Sequence, residues 1–236
     1  YPKTRIKMLH EIHRNSLKVL SFNIDSKLID GSMKGYINLD PFYFKFNLDI
    51  SQLYFIKIIS NQIMDKFKTL NFFPINKKIN GRLNINIKKF DSKSYMIDSG
   101  VVNLEFKNGI LDLQNINLSI NKTGNLNFQG FILQQNKKVN LIFNSFLDVP
   151  EPKKFGSQLM IPSRRNLKRV NISTSGKYNF DKSELIINKL FSNGKEIDKK
   201  IFNEYGEKLS TFLYSSSLTD KFNLFKLRIL VRRLLE

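Results

Sequence analysis

Phe42-Tyr43-Phe44-Lys45-Phe46-Asn47-Leu48-Asp49-Ile50 alternates without a break. Phe42, Phe44, Phe46, Leu48 and Ile50 share one side, and Tyr43, Lys45, Asn47 and Asp49 share the other. Successive strand side chains point to opposite faces, so the stretch predicts a strand that is apolar on one face and wet on the other. The same period recurs downstream. Leu83, Ile85 and Ile87 alternate with Arg82, Asn84, Asn86 and Lys88, and Val102, Leu104 and Phe106 lead into the turn Asn108-Gly109. Leu126 and Phe128 follow Gly124, and Val139, Leu141 and Phe143 follow Asn136. Short strands separated by turns, without helical stretches of 10–15 residues between most of them, argue for an antiparallel meander and against βαβ units.

Helical spacing predicts the covers for this sheet. Ile6, Leu9, Ile12, Leu17 and Leu20 suggest a leading helix over 3–20. Leu53, Ile56, Ile59, Ile63, Phe67 and Leu70 form one stripe over about 52–70, with Ser51 as N-cap and Pro74 beyond the end. Ile197, Ile201, Tyr205 and Leu209 open a C-terminal helical region, and Pro150 to Arg169 reads as a long loop. The expected fold class is α+β, mostly β: a curved antiparallel β-meander with one apolar concave face, covered in part by amphipathic helices. Three parts are expected. Residues 1–20 form a leading helix or linker from a longer chain, 21–188 an antiparallel β-groove domain with an inserted helix at about 52–70, and 189–236 a C-terminal amphipathic helical segment.

Composition narrows the function classes. The chain has 236 residues with 41% hydrophobic residues, enough to bury a core. It has no Cys, which excludes disulfides, zinc-thiolate sites and a cysteine nucleophile. The net charge of +19 invites an anionic partner. Yet the chain has no Ala, 27 Asn, and 30 Lys against 9 Arg, the signature of AT-rich codons. Polyanion readers favour the bidentate fork of Arg, which is scarce here. A nucleic-acid binder should also carry aromatics on its wet faces, where only Tyr43 stands out, so nucleic acid is disfavoured. No stretch reaches the ~18–20 apolar residues of a membrane span.

The order of elements and four local phrases carry a resemblance. The phrases are Ile29-Asp30-Gly31-Ser32-Met33-Lys34-Gly35, Asn80-Gly81-Arg82-Leu83-Asn84-Ile85, Phe106-Lys107-Asn108-Gly109-Ile110-Leu111, and Gly124-Asn125-Leu126-Asn127-Phe128-Gln129-Gly130. Over most of residues 20–188 the chain resembles the C-terminal region of AsmA-like proteins, relatives of TamB and of the bridge-like lipid-transfer proteins. The resemblance implies an envelope protein of Gram-negative bacteria, periplasmic and anchored in the inner membrane by a helix outside this sequence. It further implies phospholipid carried in an apolar β-groove, with a membrane surface or an envelope protein as further partner, and no catalytic centre or cofactor. The chain is short and lacks the anchor, which fits a C-terminal fragment.

Phe42, Phe44, Phe46, Leu48, Ile50, Leu83, Ile85, Ile87, Val102, Leu104, Phe106, Leu126, Phe128, Val139, Leu141 and Phe143 are the groove candidates, because apolar faces without ionisable residues suit acyl chains. Arg164, Arg165, Lys168 and Arg169 form a basic cluster, and Arg228, Arg232 and Arg233 line the polar side of a last helix whose apolar side is Leu224, Leu227, Leu230, Val231, Leu234 and Leu235. These cations are candidates for an anionic partner. His10, Glu11 and His13 resemble a metal motif, but the His spacing is three rather than four and no third ligand is suggested, so no metal site is assigned. With no phosphate-binding glycine loop, the reading is against an enzyme. The alternative function is a scaffold that fills its sheet face with its own helices and docks an acidic partner or anionic membrane through the basic residues.

Overall fold

A computed structural model describes residues 4–54, 75–91, 97–120, 122–136, 138–158, 168–182 and 184–198. They are mostly β, with hydrogen bonding in chain order through 12 strands. The strands are β1 Arg5–His13, β2 Ser16–Asp25, β3 Ile29–Leu39, β4 Phe42–Leu53, β5 Gly81–Ile87, β6 Ile97–Lys107, β7 Ile110–Ile120, β8 Gly124–Gln135, β9 Lys138–Val149, β10 Val170–Asn179, β11 Glu184–Ser192 and β12 Lys195–Glu196. One short helix among the described residues, α1 Pro152–Gln158, lies between β9 and β10. Contacts divide the chain into two units, one of residues 1–118 with 131–134 and one of residues 119–130 with 135–236.

The alternating period builds these strands. The turn at Asn108-Gly109 forms where the sequence predicts it, whereas Asp30-Gly31 and Lys34-Gly35, which also carry turn chemistry, lie inside β3. Asn108 and Gly109 both take positive φ, 54° and 81°, the geometry of a two-residue hairpin that an Asn-Gly pair adopts at little cost. Among otherwise antiparallel pairings, β4 and β5 run parallel, Phe44 opposite Gly81 through Ile50 opposite Ile87. The meander is therefore a mixed sheet. A parallel neighbour needs a crossover of a dozen or more residues, and the chain between Leu53 and Gly81 has the length for one.

Several expectations are corrected. The leading helix expected over 3–20 is not found among the described residues: β1 and β2 make a hairpin over 5–25. Ile6, Met8 and Ile12 also satisfy a period of two, and the structure uses that period. Gln52 and Leu53, expected to open a helix, close β4. Residues 55–74, the rest of that helix, lie outside the described residues. Residues 189–192 finish β11 and 195–196 form β12, so the C-terminal segment begins as strand. Residues 199–236, with the last helix, lie outside the described residues. The cover of amphipathic helices over the sheet is not found among the described residues. The loop expected from Pro150 instead holds α1. No helix among the described residues is long and apolar enough to cross a membrane.

Candidate lipid-binding faces and their surroundings

In the first unit, register aligns the apolar positions of six strands into rows. Ile6, Ile24, Gly31, Ile50, Ile87 and Gly100 form one row, and Met8, Phe22, Met33, Leu48, Ile85 and Val102 the next. His10, Val19, Gly35, Phe46, Leu83 and Leu104 follow, then Ile12, Leu17, Ile37, Phe44, Gly81 and Phe106. All eleven groove candidates of β4, β5 and β6 thus share one face, with Phe42 and Leu39 extending it. The sequence reading missed the contribution of β1, β2 and β3, because 3–20 reads as a helix and glycines interrupt β3. A one-residue shift in the pairing of β2, around Leu20 and Ser21, further disguises its period.

Two glycines shape this face. A Cβ on Gly81 would stand 2.5 Å from the Phe44 ring and from the Phe44 carbonyl oxygen. The bare glycine lets Phe44 of β4 and Phe106 of β6 meet across it, with ring centroids 5.5 Å apart. A Cβ on Gly35 would stand 2.0 Å from the Lys45 carbonyl oxygen and 2.6 Å from the Phe46 ring. Phe42, Phe44 and Phe46 then follow one another along β4 at 6.3 and 6.0 Å. Burial across the face is uneven. Ile50 and Ile87 are buried, whereas Phe42 is 38%, Ile6 57% and Ile12 74% exposed.

The wet face of the same unit is closed by cross-strand pairs. The Asn84 amide donates to Asn47 Oδ1 at 2.8 Å, and the Asn86 amide to Asp49 Oδ1 at 3.3 Å. Arg82 donates through Nε and Nη2 to Glu105 Oε1 at 3.2 and 3.1 Å, and the Gln114 amide also donates to Glu105. A shallow depression of about 530 Å³ at one end sets Arg5, Lys7 and Lys88 among Asp25, Asp30 and Asp49. No cluster of three metal-ligating side chains occurs among the described residues. The His10-Glu11-His13 group is split by the strand period: His10 pairs with Val19 on the apolar face. Glu11 lies on the wet face with His13 at 4.0 Å and Lys18 at 3.5 Å.

In the second unit, Val139, Leu141 and Phe143 of β9 share a face with Ile172 and Tyr178 of β10 and with Leu185, Ile187 and Leu190 of β11. The Phe128 ring of β8 stacks on Phe143 at 5.5 Å and 15°, so Phe128 joins that face, and the strand period brings Leu126 with it. One end of this face is plugged by the chain itself. Phe155 of α1 is 1% exposed, and Val149 and its cross-strand partner Val170 are likewise buried. The Phe155 ring comes within 3.4 Å of where a Gly124 Cβ would sit, so Gly124 makes room for it. The sequence reading missed Phe155 because a seven-residue helix carries too few turns to show a period.

Of the cationic candidates, Arg164, Arg165, Arg228, Arg232 and Arg233 lie outside the described residues. Lys168 is exposed. Arg169 is engaged within the chain: its Nε and Nη2 donate to the two oxygens of Asp148 at 2.8 and 2.7 Å. That bidentate hydrogen bonding, with the guanidinium charge, holds the Asp148 carboxyl below its ordinary range and raises Arg169, although partial burial opposes the shift at Asp148.

No family model matches the chain, and no curated protein and no solved structure matches it.

Proposed function

We propose that this chain is a non-enzymatic segment of an AsmA-like envelope protein that holds phospholipid acyl chains on its apolar sheet faces, on the periplasmic side of an anchored parent. The observation that carries this reading is the register of the first unit, where four rows, aliphatic and aromatic apart from four glycines and His10, cross six strands on one face while that face stays partly exposed. Five interstrand steps of ~4.8 Å make the face roughly 24 Å across. An acyl chain in one leaflet spans about 15 Å, half the hydrocarbon core, so one chain fits across the rows. Ten methylenes in contact would contribute on the order of 8 kcal/mol before the cost of immobilising the lipid. The polar headgroup would stay in water, since the rows offer it no buried partner. The phrases around Gly31, Gly81, Gly109 and Gly124 supply the family side of the reading.

Phe44→Asp in the first unit and Phe128→Asp in the second test it. Each puts a carboxylate into the middle of its rows. Co-purified phospholipid should fall in both variants while the β circular dichroism stays as in the parent; lipid content unchanged in both contradicts the proposal. A second reading, a scaffold that fills its own face, draws on α1, because Phe155 already occupies one end of the second unit. Under it, neither the parent nor the variants carry lipid.

A further inference from the structure

The wet face of the second unit differs from that of the first. A depression of about 430 Å³ opens there, lined by Asn127 and Gln129 of β8, Asn144 and Phe146 of β9, Ser173 and Ser175 of β10, and Lys189 and Phe191 of β11. Register orders the last three strands into two rows. Ser173 stands opposite Phe146 on one side and Phe191 on the other, and Ser175 stands between Asn144 and Lys189. Two interstrand steps set the Cα atoms of Phe146 and Phe191 roughly 10 Å apart. The serine between them is small, so the rings are walls and Ser173 is a floor. With carbon contacts of about 3.5–4.0 Å on each side, such a slot takes one ring edge-on or between the walls.

The polar groups around it are free to act on a ligand. Among the described residues, the side chains of Asn127, Gln129, Asn144, Ser173, Ser175 and Lys189 make no hydrogen bond or ion pair, although at the two ends of the same face Asn179 donates to Asn140 and Arg169 to Asp148; the corresponding face of the first unit is zipped by four cross-strand contacts. The pairing of β10 with β11 shifts by one between Ser175 and Gly176, leaving Asn188 as an extra residue beside Lys189. Bulges of this kind re-aim the neighbouring side chain. Phe146 remains 40% exposed on a face whose period calls for polar residues.

We propose that this slot binds a saccharide chain. A sugar ring presents an apolar C–H face to an aromatic wall and hydroxyls, each both donor and acceptor, around its edge. Three amides supply both donors and acceptors, two serines do the same, and Lys189 adds one charge for an acidic substituent. A nucleic-acid strand fits less well. It needs a cationic track along its backbone, and Lys189 is the one cation in the lining.

The test is titration calorimetry of the full chain with maltohexaose, chitohexaose and hexagalacturonate, with oligo(dT) as the competing probe. At least one hexasaccharide should bind, and Phe146→Ala and Phe191→Ala should each weaken it about tenfold, the loss typical of a central aromatic contact. Ser173→Trp, which fills the slot from a half-buried position on its floor, should abolish binding without changing the circular dichroism. Lys189→Ala should weaken hexagalacturonate more than the neutral sugars. Binding of none of the three, binding indifferent to Ser173→Trp, or capture of oligo(dT) alone would overturn the proposal.

Discussion

Gly35 and Gly81 show how single residues tune the apolar face. Each leaves a gap in a row that would otherwise hold a side chain, and each gap is filled by a ring from β4. The aromatic cluster around Phe44 therefore depends on what Gly81 lacks as much as on the phenylalanines. Asp148 and Arg169 are the residue-scale feature with a pH signature. The folded carboxyl lies below its ordinary value of about 3.9, so the pair stabilises the fold above that pH, and the contribution is lost as pH falls through the lowered folded value. Arg169→Ala should thus be less stable than the parent in urea at pH 7, by a small margin because Arg169 is open to solvent. The two curves should converge as pH is taken from about 4 toward 2. A gap independent of pH would mean that the arginine acts through packing alone.

At the scale of elements, α1 is the clearest case of a piece with one job. Its seven residues are too few to be stable alone, and it holds its place by burying Phe155 against Gly124. Phe155→Ala should cost about 3–5 kcal/mol in chemical denaturation, the range for emptying a buried phenylalanine site. A cost below about 1 kcal/mol would show that α1 is not a plug. The element scale is also where sequence reading succeeds and fails for identifiable reasons. Phe42 to Ile50 is legible because strict alternation over nine residues admits one period. Residues 4–20 are not, because Leu9 and Leu20 add helical spacing to what is a hairpin, and His10 occupies an apolar-face position where a hydrophobe would have revealed the period. Strand direction leaves no trace in composition, so the parallel pairing of β4 with β5 cannot be read from either strand. That the apolar positions of β4, β5 and β6 share a face is legible from pattern; the wet-face rings Phe146 and Phe191 are not, since Ile142 and Ile186 on the same sides break the polar alternation and a one-residue shift in β11 displaces Phe191.

At the scale of the whole molecule, the chain joins a strong positive charge to extended one-sided apolar strands. The charge of +19 is the excess left once every carboxylate is counted, so the ion pairs of Arg82, Lys18 and Arg169 do not reduce it; it is carried mainly by lysine, 30 against 9 arginines, in an Asn-rich, Ala-free composition. The apolar faces do need an explanation. In the first unit Ile6, Ile12 and Phe42 lie open on the same face as buried Ile50 and Ile87, a state that water disfavours and a lipid tail would relieve. The account stands or falls on whether lipid is there. Mass spectrometry of an organic extract from the purified, detergent-free protein should find phospholipid in at least stoichiometric amount. A stable, monomeric protein whose extract contains none would contradict it.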